Sequence, residues 1–380
     1  MTAASMTTER AWTGVDPLLL LSGGILTLLG LVAITSASIG YAEQNFGNPW
    51  YHAQRHLFYL VISIACAAVV YRLPSAFWYH SAWLWLLLSL ALLALVLIPG
   101  IGRDVNGSQR WLPMGPFTLQ PSELVKGSSI VFLSAYLVRQ EAAVREQWQG
   151  FLRPMFVLGV VALLLLFEPD FGATVIVLGT AFGLLFLAGM KLLHFFIVVA
   201  LSGLGLAGLI ITAPYRLQRL TAYTDPWADP YGSGFQLVQS LIAFGRGEWF
   251  GVGLGNSVQK LFYLPEAHTD FVFSIWAEET GFVGALGMLL LVLFLVLRIA
   301  SIGRAAARAG DTFAGYLCYG IAMMFAGQAF INMGASCGLL PTKGLTLPFV
   351  SYGGSALVMN FCLLAMVLRI ESERRAGSRK

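Results

Sequence analysis

The apolar positions of this chain are gathered into long uninterrupted runs, without the short alternation of a half-buried strand. A membrane-crossing helix needs roughly 20 mostly apolar residues, and ten stretches approach that length. Their approximate cores are Pro17–Ser36, His56–Tyr71, Tyr79–Ile98, Ser122–Leu137, Pro154–Leu166, Ala173–Gly189, Leu192–Thr212, Phe271–Leu297, Phe313–Ala335 and Leu347–Ile370. The fifth is short and the eighth long, so tilt or breakage is expected there. The pattern predicts an all-α polytopic membrane protein of about ten helices, one integral membrane domain over residues 1–380.

Composition agrees. The chain is 57% hydrophobic and only 11% charged, against about 25% charged residues in ordinary soluble domains. A soluble protein this poor in charge could not cover its own surface, so lipid is the expected partner of that surface. The first run is long enough to remain in the membrane as an anchor, and no cleavable leader is expected.

Charge adds the orientation. About 14 of the 23 basic residues fall in the segments that share a side with the N-terminus, including 139–153, 298–308 and the tail at about 371–380. Both termini are therefore placed in the cytoplasm, which an even number of spans requires. The outward loops are 37–55, 99–121, about 214–270 and 336–346. The third is too long to be a simple connection. Its piece Phe235–Phe244 is amphipathic and suits the membrane surface. The net charge of +4 is scattered between spans, so no nucleic acid is expected as partner. Cys66, Cys318, Cys337 and Cys362 form no close pair, which indicates neither a disulfide framework nor a metal site.

The outward loops carry the candidate chemistry. The densest cluster is Pro265-Glu266-Ala267-His268-Thr269-Asp270, where the long loop enters the eighth run. Thr269 or Asp270 suits a helix N-cap. Asp270 also suits a general base, since a carboxylate against a desolvated wall gains basicity. The two roles are compatible. His268 is expected to support Asp270, and Glu278 and Glu279, inside the span, to be paired, because an unpaired acid there is costly.

A second cluster runs Asn106-Gly107-Ser108-Gln109-Arg110-Trp111 and on to Gln120-Pro121-Ser122-Glu123 and Lys126. Arg110 suits a phosphate, or equally a lipid headgroup. Lys126 is expected either to pair with an acid such as Glu123 or to face a polar cavity. A third cluster, Gly338 to Ser355, breaks the apolar pattern with two prolines and several glycines. Irregular backbone at membrane depth must be buried in protein or line a wet cavity. That makes Lys343 a cation beside such a cavity, or one that snorkels to headgroups. Glu168-Pro169-Asp170 is a turn expected to hold two carboxylates near the outer surface. Gly251-Val252-Gly253-Leu254-Gly255 lacks the strand–helix context of a nucleotide loop.

Together these segments resemble the SEDS family, named for shape, elongation, division and sporulation, over nearly the whole chain. The resemblance rests on Pro-Glu-x-His-Thr-Asp at 265–270, Asn-Gly-x-x-Arg-Trp at 106–111, Gln-Pro-Ser-Glu at 120–123 and Ser-Tyr-Gly-Gly-Ser at 351–355. The segment Lys343–Pro348 and the basic tail are more similar to the cell-division branch. The resemblance implies a peptidoglycan glycosyltransferase that joins lipid II into β-1,4 glycan at the outer face of the bacterial inner membrane, at the division septum. It implies Asp270 as the catalytic residue. Arg110, Lys126, Lys343, Arg216 and Arg246 are then candidates for the pyrophosphate, with Arg219 and Lys260 in reserve, and His268, Glu279, Glu123 and Ser351 as support. A divalent cation, magnesium or manganese, on the pyrophosphate is compatible, though no ligand cluster requires one. Expected partners are a class B penicillin-binding transpeptidase and other divisome membrane proteins. Two rival classes remain open at this stage, a lipid flippase or transporter and a non-catalytic divisome scaffold.

Overall fold

All ten apolar runs are helices in the computed structural model, which describes residues 15–105, 108–115, 117–211, 223–341 and 344–377. They are α1 (Pro17–Phe46), α2 (Tyr51–Arg72), α3 (Ser75–Val96), α4 (Pro121–Arg139), α6 (Trp148–Phe167), α7 (Phe171–Leu187), α8 (Leu192–Ile211), α10 (Val272–Arg308), α11 (Thr312–Ser336) and α12 (Gly354–Gly377). Two short helices, α5 (Glu141–Glu146) and α9 (Phe235–Gly247), complete the set among the described residues. Seven of the ten are long and apolar enough to cross a membrane on that ground alone. Of the other three, α7 and the apolar stretch of α8 are shorter, and α4 carries Glu123 and Lys126.

Local chemistry sets several ends. Asp16 caps α1 by accepting from Leu19 N at 2.9 Å, with Pro17 at the first helical position. Asp170 and Asp311 cap α7 and α11 in the same way. α1 runs ten residues past the apolar stretch that predicts it, so the connection to α2 is only residues 47–50.

Burial sorts the helices into layers. The apolar windows of α11 and α12 are each 67% buried, whereas that of α2 is 17% buried and faces outward. The core follows α11, with α10, α4 and α7 packed along it, while α12 lies along α2. An outward leucine-rich face is what lipid requires and costs nothing there.

The two ends of the bundle differ in charge. At one end, Asp16 is held by Arg298 and by Arg375 (2.8 Å), and Glu371 by Arg374 (2.8 Å) and Arg375 (2.6 Å). The start of α1 and the end of α12 therefore share the basic side, which the positive-inside rule places in the cytoplasm. The loop bearing Asp270 lies at the opposite end.

Two features add to what the apolar pattern predicts. The second outward loop contains a small antiparallel three-stranded sheet, β1 (Arg103–Val105), β2 (Ser108–Met114) and β3 (Phe117–Leu119), in an otherwise helical molecule. Register pairs Asp104 with Gln109 and Leu112 with Leu119. The amphipathic piece of the long loop, α9, packs into the protein. Its Leu237, Val238, Ser240 and Ala243 are buried, and Ser240 Oγ donates to Ser336 O at 2.6 Å.

Candidate active site

The site is built around a break in α10. Gly281 has φ 70° and ψ −168°, so the helix stops donating and accepting in register for one turn. The freed carbonyls of Glu278 and Glu279 accept from Val252 N (3.0 Å) and Gly253 N (3.1 Å). The freed amides of Phe282 and Val283 donate to Glu248 O (2.8 Å) and Trp249 O (3.1 Å). The loop after α9 thus repairs the interrupted ladder, which at membrane depth is mandatory. Only glycine fits at both contact points. A Cβ on Gly281 would lie 2.4 Å from Gly251 N, and one on Gly251 would lie 2.2 Å from Glu279 O.

The two acids beside the break hold the same loop by their side chains. Glu278 accepts from Ser257 Oγ, from Val258 N (3.2 Å) and Gln259 N (3.3 Å), and lies 3.4 Å from Arg246. Glu279 accepts from Ser36 Oγ at 2.6 Å and pairs with Lys260 at 2.9 Å. Both carboxylates are buried. They tie α1, α10 and the long loop together, and Lys260 is spent on them, while Arg246 keeps its side chain partly exposed.

Asp270 follows in that loop, half-buried at the outer end. Its backbone carbonyl accepts from Asn332 Nδ2 at 2.9 Å, and the same amide group donates to Leu345 O at 2.7 Å. Tyr352 N donates to His268 O at 3.0 Å. The loop 264–271 is therefore clamped between α11 and the irregular segment before α12. A Cβ on Gly344 would come 3.4 Å from Asp270 Oδ2, so the segment before α12 lies against that carboxylate. Neither Thr269 nor Asp270 caps α10. Phe271 occupies the N-cap position without a side-chain cap, and Thr269 Oγ1 turns back to Glu266 O (3.1 Å) and Oε2 (2.8 Å).

Burial strips His268 of water and lowers its pKa to about 4, so the ring is neutral. It lies against Tyr41, His52 and Tyr352, at 5.6, 4.5 and 5.7 Å between ring centres. Ser351 Oγ accepts from Leu347 N at 2.8 Å and shapes the turn that faces Asp270.

The other predicted residues are brought together in pairs. Arg110 is anchored within the protein. Its guanidinium donates to Glu168 O (2.8 Å) and Pro169 O (2.6 Å), fastening β2 to the turn between α6 and α7. That turn does not present two surface carboxylates. Glu168 is fully buried with both oxygens unpartnered, and burial beside Asp170 raises its pKa to about 8. Lys126 pairs with Glu123 at 2.8 Å, both buried near the outer end of α4. Glu123 reaches a cavity of about 430 Å³ walled by Tyr59, Phe117, Gln120 and Ser355. Gln120 N donates to Ser355 Oγ (3.0 Å), and Ser355 Oγ donates to Thr118 O (3.0 Å), which joins two of the sequence motifs. Arg216, Arg219 and Lys343 lie outside the described residues. No group of three or more His, Cys, Asp or Glu gathers among the described residues.

A family model for the FtsW, RodA and SpoVE cell cycle proteins matches residues 17–376. The chain belongs to the FtsW/RodA/SpoVE family of cell cycle proteins. Its relatives include the probable peptidoglycan glycosyltransferase FtsW of Nitrosococcus halophilus, 52% identical over 95% of this chain and 93% of the relative. The protein of the same description from Pseudomonas fluorescens is 52% identical over 95% and 89%. Among solved structures, a chain of a peptidoglycan synthase complex that coordinates polymerization and crosslinking superposes with TM-score 0.77 at 30% identity, covering 96% of this chain and 99% of that one. The rod shape determining protein RodA of Thermus thermophilus superposes with TM-score 0.70 at 28% identity, covering 96% and 98%. The SEDS resemblance and the polytopic helical membrane fold are thereby established for this chain.

Two residues of this site escaped the sequence reading. Asn332 positions the Asp270 backbone, and its only sequence signal is an amide inside an apolar run. Arg55 in the first turn of α2 donates to Tyr51 Oη at 2.8 Å, and among the described residues it has no acidic partner within ion-pair distance.

Proposed function

We propose that this chain is a peptidoglycan glycosyltransferase that joins lipid II units into β-1,4 glycan at the outer face of the bacterial cytoplasmic membrane during septal wall synthesis. The observation that carries the reading is the Asp270 loop. One carboxylate sits at the outer end of the bundle, not spent on capping its helix, with its backbone carbonyl held by Asn332 and its loop held by Tyr352 N at His268 O. The curated relatives are described as probable enzymes of this activity over nearly their whole length.

The chemistry needs little more. Asp270 takes the proton from the acceptor sugar hydroxyl as that oxygen bonds to the donor's anomeric carbon. The anomeric C–O bond to the lipid diphosphate breaks with its electron pair, and the diphosphate leaves as a stable anion. No protein acid is needed for such a leaving group, unlike the paired carboxylates of glycoside hydrolysis. With Arg110, Lys126 and Lys260 engaged internally, cationic help falls to Lys343, the sequence neighbour of Gly344, to Arg216, and to the partly exposed Arg246. A divalent cation would arrive on the diphosphate itself. The apolar groove beside Glu123 offers a wall for a polyprenyl tail. Crosslinking would come from a separate class B penicillin-binding transpeptidase, with other divisome membrane proteins around it.

The test is polymer synthesis from lipid II by the purified full chain with its transpeptidase partner in detergent. Asp270→Asn is expected to lower the rate by about 10²–10⁴, the usual worth of a positioned general base. Parental polymerisation by that variant rejects the assignment.

A further inference from the structure

At the outer end, the last turns of α1, the first turn of α2 and the loop before Asp270 enclose a cavity of about 380 Å³. That is within the roughly 300–1,000 Å³ range of small-molecule sites. Its walls are aromatic: Tyr41, Phe46 and Phe262 line it together with His52 and His268. The first three are 41%, 47% and 51% exposed, so their faces are available. They also belong to one packed set. Tyr41 stands 6.4 Å from Phe262, 6.5 Å from Phe46 and 5.6 Å from His268 between ring centres. The wall formed by His268 ends two residues before Asp270.

Resting on the glycosyltransferase reading above, we propose that this aromatic cavity is a saccharide subsite that seats a pyranose ring of the acceptor glycan beside Asp270. An equatorially substituted sugar presents a flat face of C–H groups, which packs on aromatic rings, and a rim of hydroxyl and amide groups that need polar partners. The cavity offers both. His52 is 7% exposed, and both of its ring nitrogens are buried without a hydrogen-bond partner. A neutral imidazole carries one donor and one acceptor, and leaving both unmet is costly. A sugar hydroxyl satisfies either nitrogen. The Lys260 ammonium, held at 2.9 Å by both Glu279 and Ser36, also reaches the wall.

An interfacial belt of aromatic residues is the plain alternative, since Tyr and Trp gather at headgroup level. A belt explains exposed rings but gives no use for a buried imidazole with two unmet nitrogens. It also gives no use for the left-handed backbone at Phe262 (φ 67°) and Glu266 (φ 54°), both of which line this cavity. Such conformations cost about 1–3 kcal/mol each and gather at ligand sites.

The experiment is steady-state polymerisation of lipid II by the full chain with its transpeptidase, alongside thermal midpoints. Tyr41→Ala/Phe46→Ala is expected to raise KM for lipid II about tenfold while kcat stays within about twofold. Tyr41→Phe, which keeps the ring, is expected to keep the parental KM. Trp50→Ala, exposed in the same connection but outside the cavity, is the control and should match the parent. A parental KM in the double variant overturns the subsite, as does a loss confined to kcat or to the thermal midpoint, which is the belt outcome. Failure of the parental chain to make any polymer would instead reject the glycosyltransferase reading.

Discussion

The Lys260–Glu279 pair allows a quantitative test of how the long loop is held. The carboxylate is 1% exposed and the ammonium 9%, at 2.9 Å. Lys260→Met keeps most of the stem and removes the charge. The Glu279 carboxylate then retains only Ser36 Oγ at 2.6 Å and a long contact from Ser257 N at 3.4 Å. Removing one partner of a buried pair typically costs about 3–5 kcal/mol, because the other charge is stranded. The remaining hydroxyl argues for the lower end, about 3 kcal/mol. Lys260→Met/Glu279→Gln strands no charge and keeps an acceptor for Ser36. It is expected to lie within about 1 kcal/mol of the parent, giving a coupling of about 2 kcal/mol or more. Reversible unfolding of the full chain in mixed detergent micelles measures each corner of the cycle. Additive single and double changes would refute the argument, since additivity means that the ammonium does not neutralise that carboxylate.

Four further outcomes are expected. Asn332→Leu removes two hydrogen bonds to loop carbonyls and should lower kcat for lipid II polymerisation about tenfold or more, with KM little changed, read by initial rates. Arg110→Lys loses the forked contact to Glu168 O and Pro169 O and should lower stability by about 1–3 kcal/mol, measured by the same unfolding. Glu168 has its folded pKa raised to about 8, so the unfolded chain releases that proton first and stability falls as pH rises from about 4.5 towards 8. Glu168→Gln should therefore stabilise by about 2–3 kcal/mol at pH 7 and by nothing near pH 4, a difference seen in paired pH–stability curves. His268 has its folded pKa lowered to about 4, so its contribution is intact above about 6.5 and is lost as pH falls towards 4. At pH 5 the loss should be about 2 kcal/mol, and His268→Asn should remove that part of the acid sensitivity.

The sequence by itself determined the number of spans, their order, and which side each loop occupies. Lipid acts as a solvent with a fixed thickness, so each span must declare itself in consecutive apolar residues, and each observed helix overlaps its predicted run. The basic residues behave likewise, and the Asp16–Arg298–Arg375 cluster lies at the end they assign to the cytoplasm. The Pro265–Asp270 loop stood out for the same reason, as polar chemistry concentrated where hydrocarbon ends.

The tertiary structure alone decided what each polar group is for. Arg110 finds its acceptors 58 residues away, Asn332 finds Asp270 O across 62, and Lys260 finds Ser36 across 224. No local pattern encodes such partners, because they depend on which helix faces turn inward together. The short strands at 103–119 were hidden for a related reason, since their pairing lies within one loop and carries no apolar period. The length of the eighth run signals a tilt or a break, but Gly281 itself reads in sequence as one more glycine in a helix. The break exists because the 248–253 backbone arrives to accept and donate what the helix gives up, and in a membrane that exchange must balance before the chain can bend.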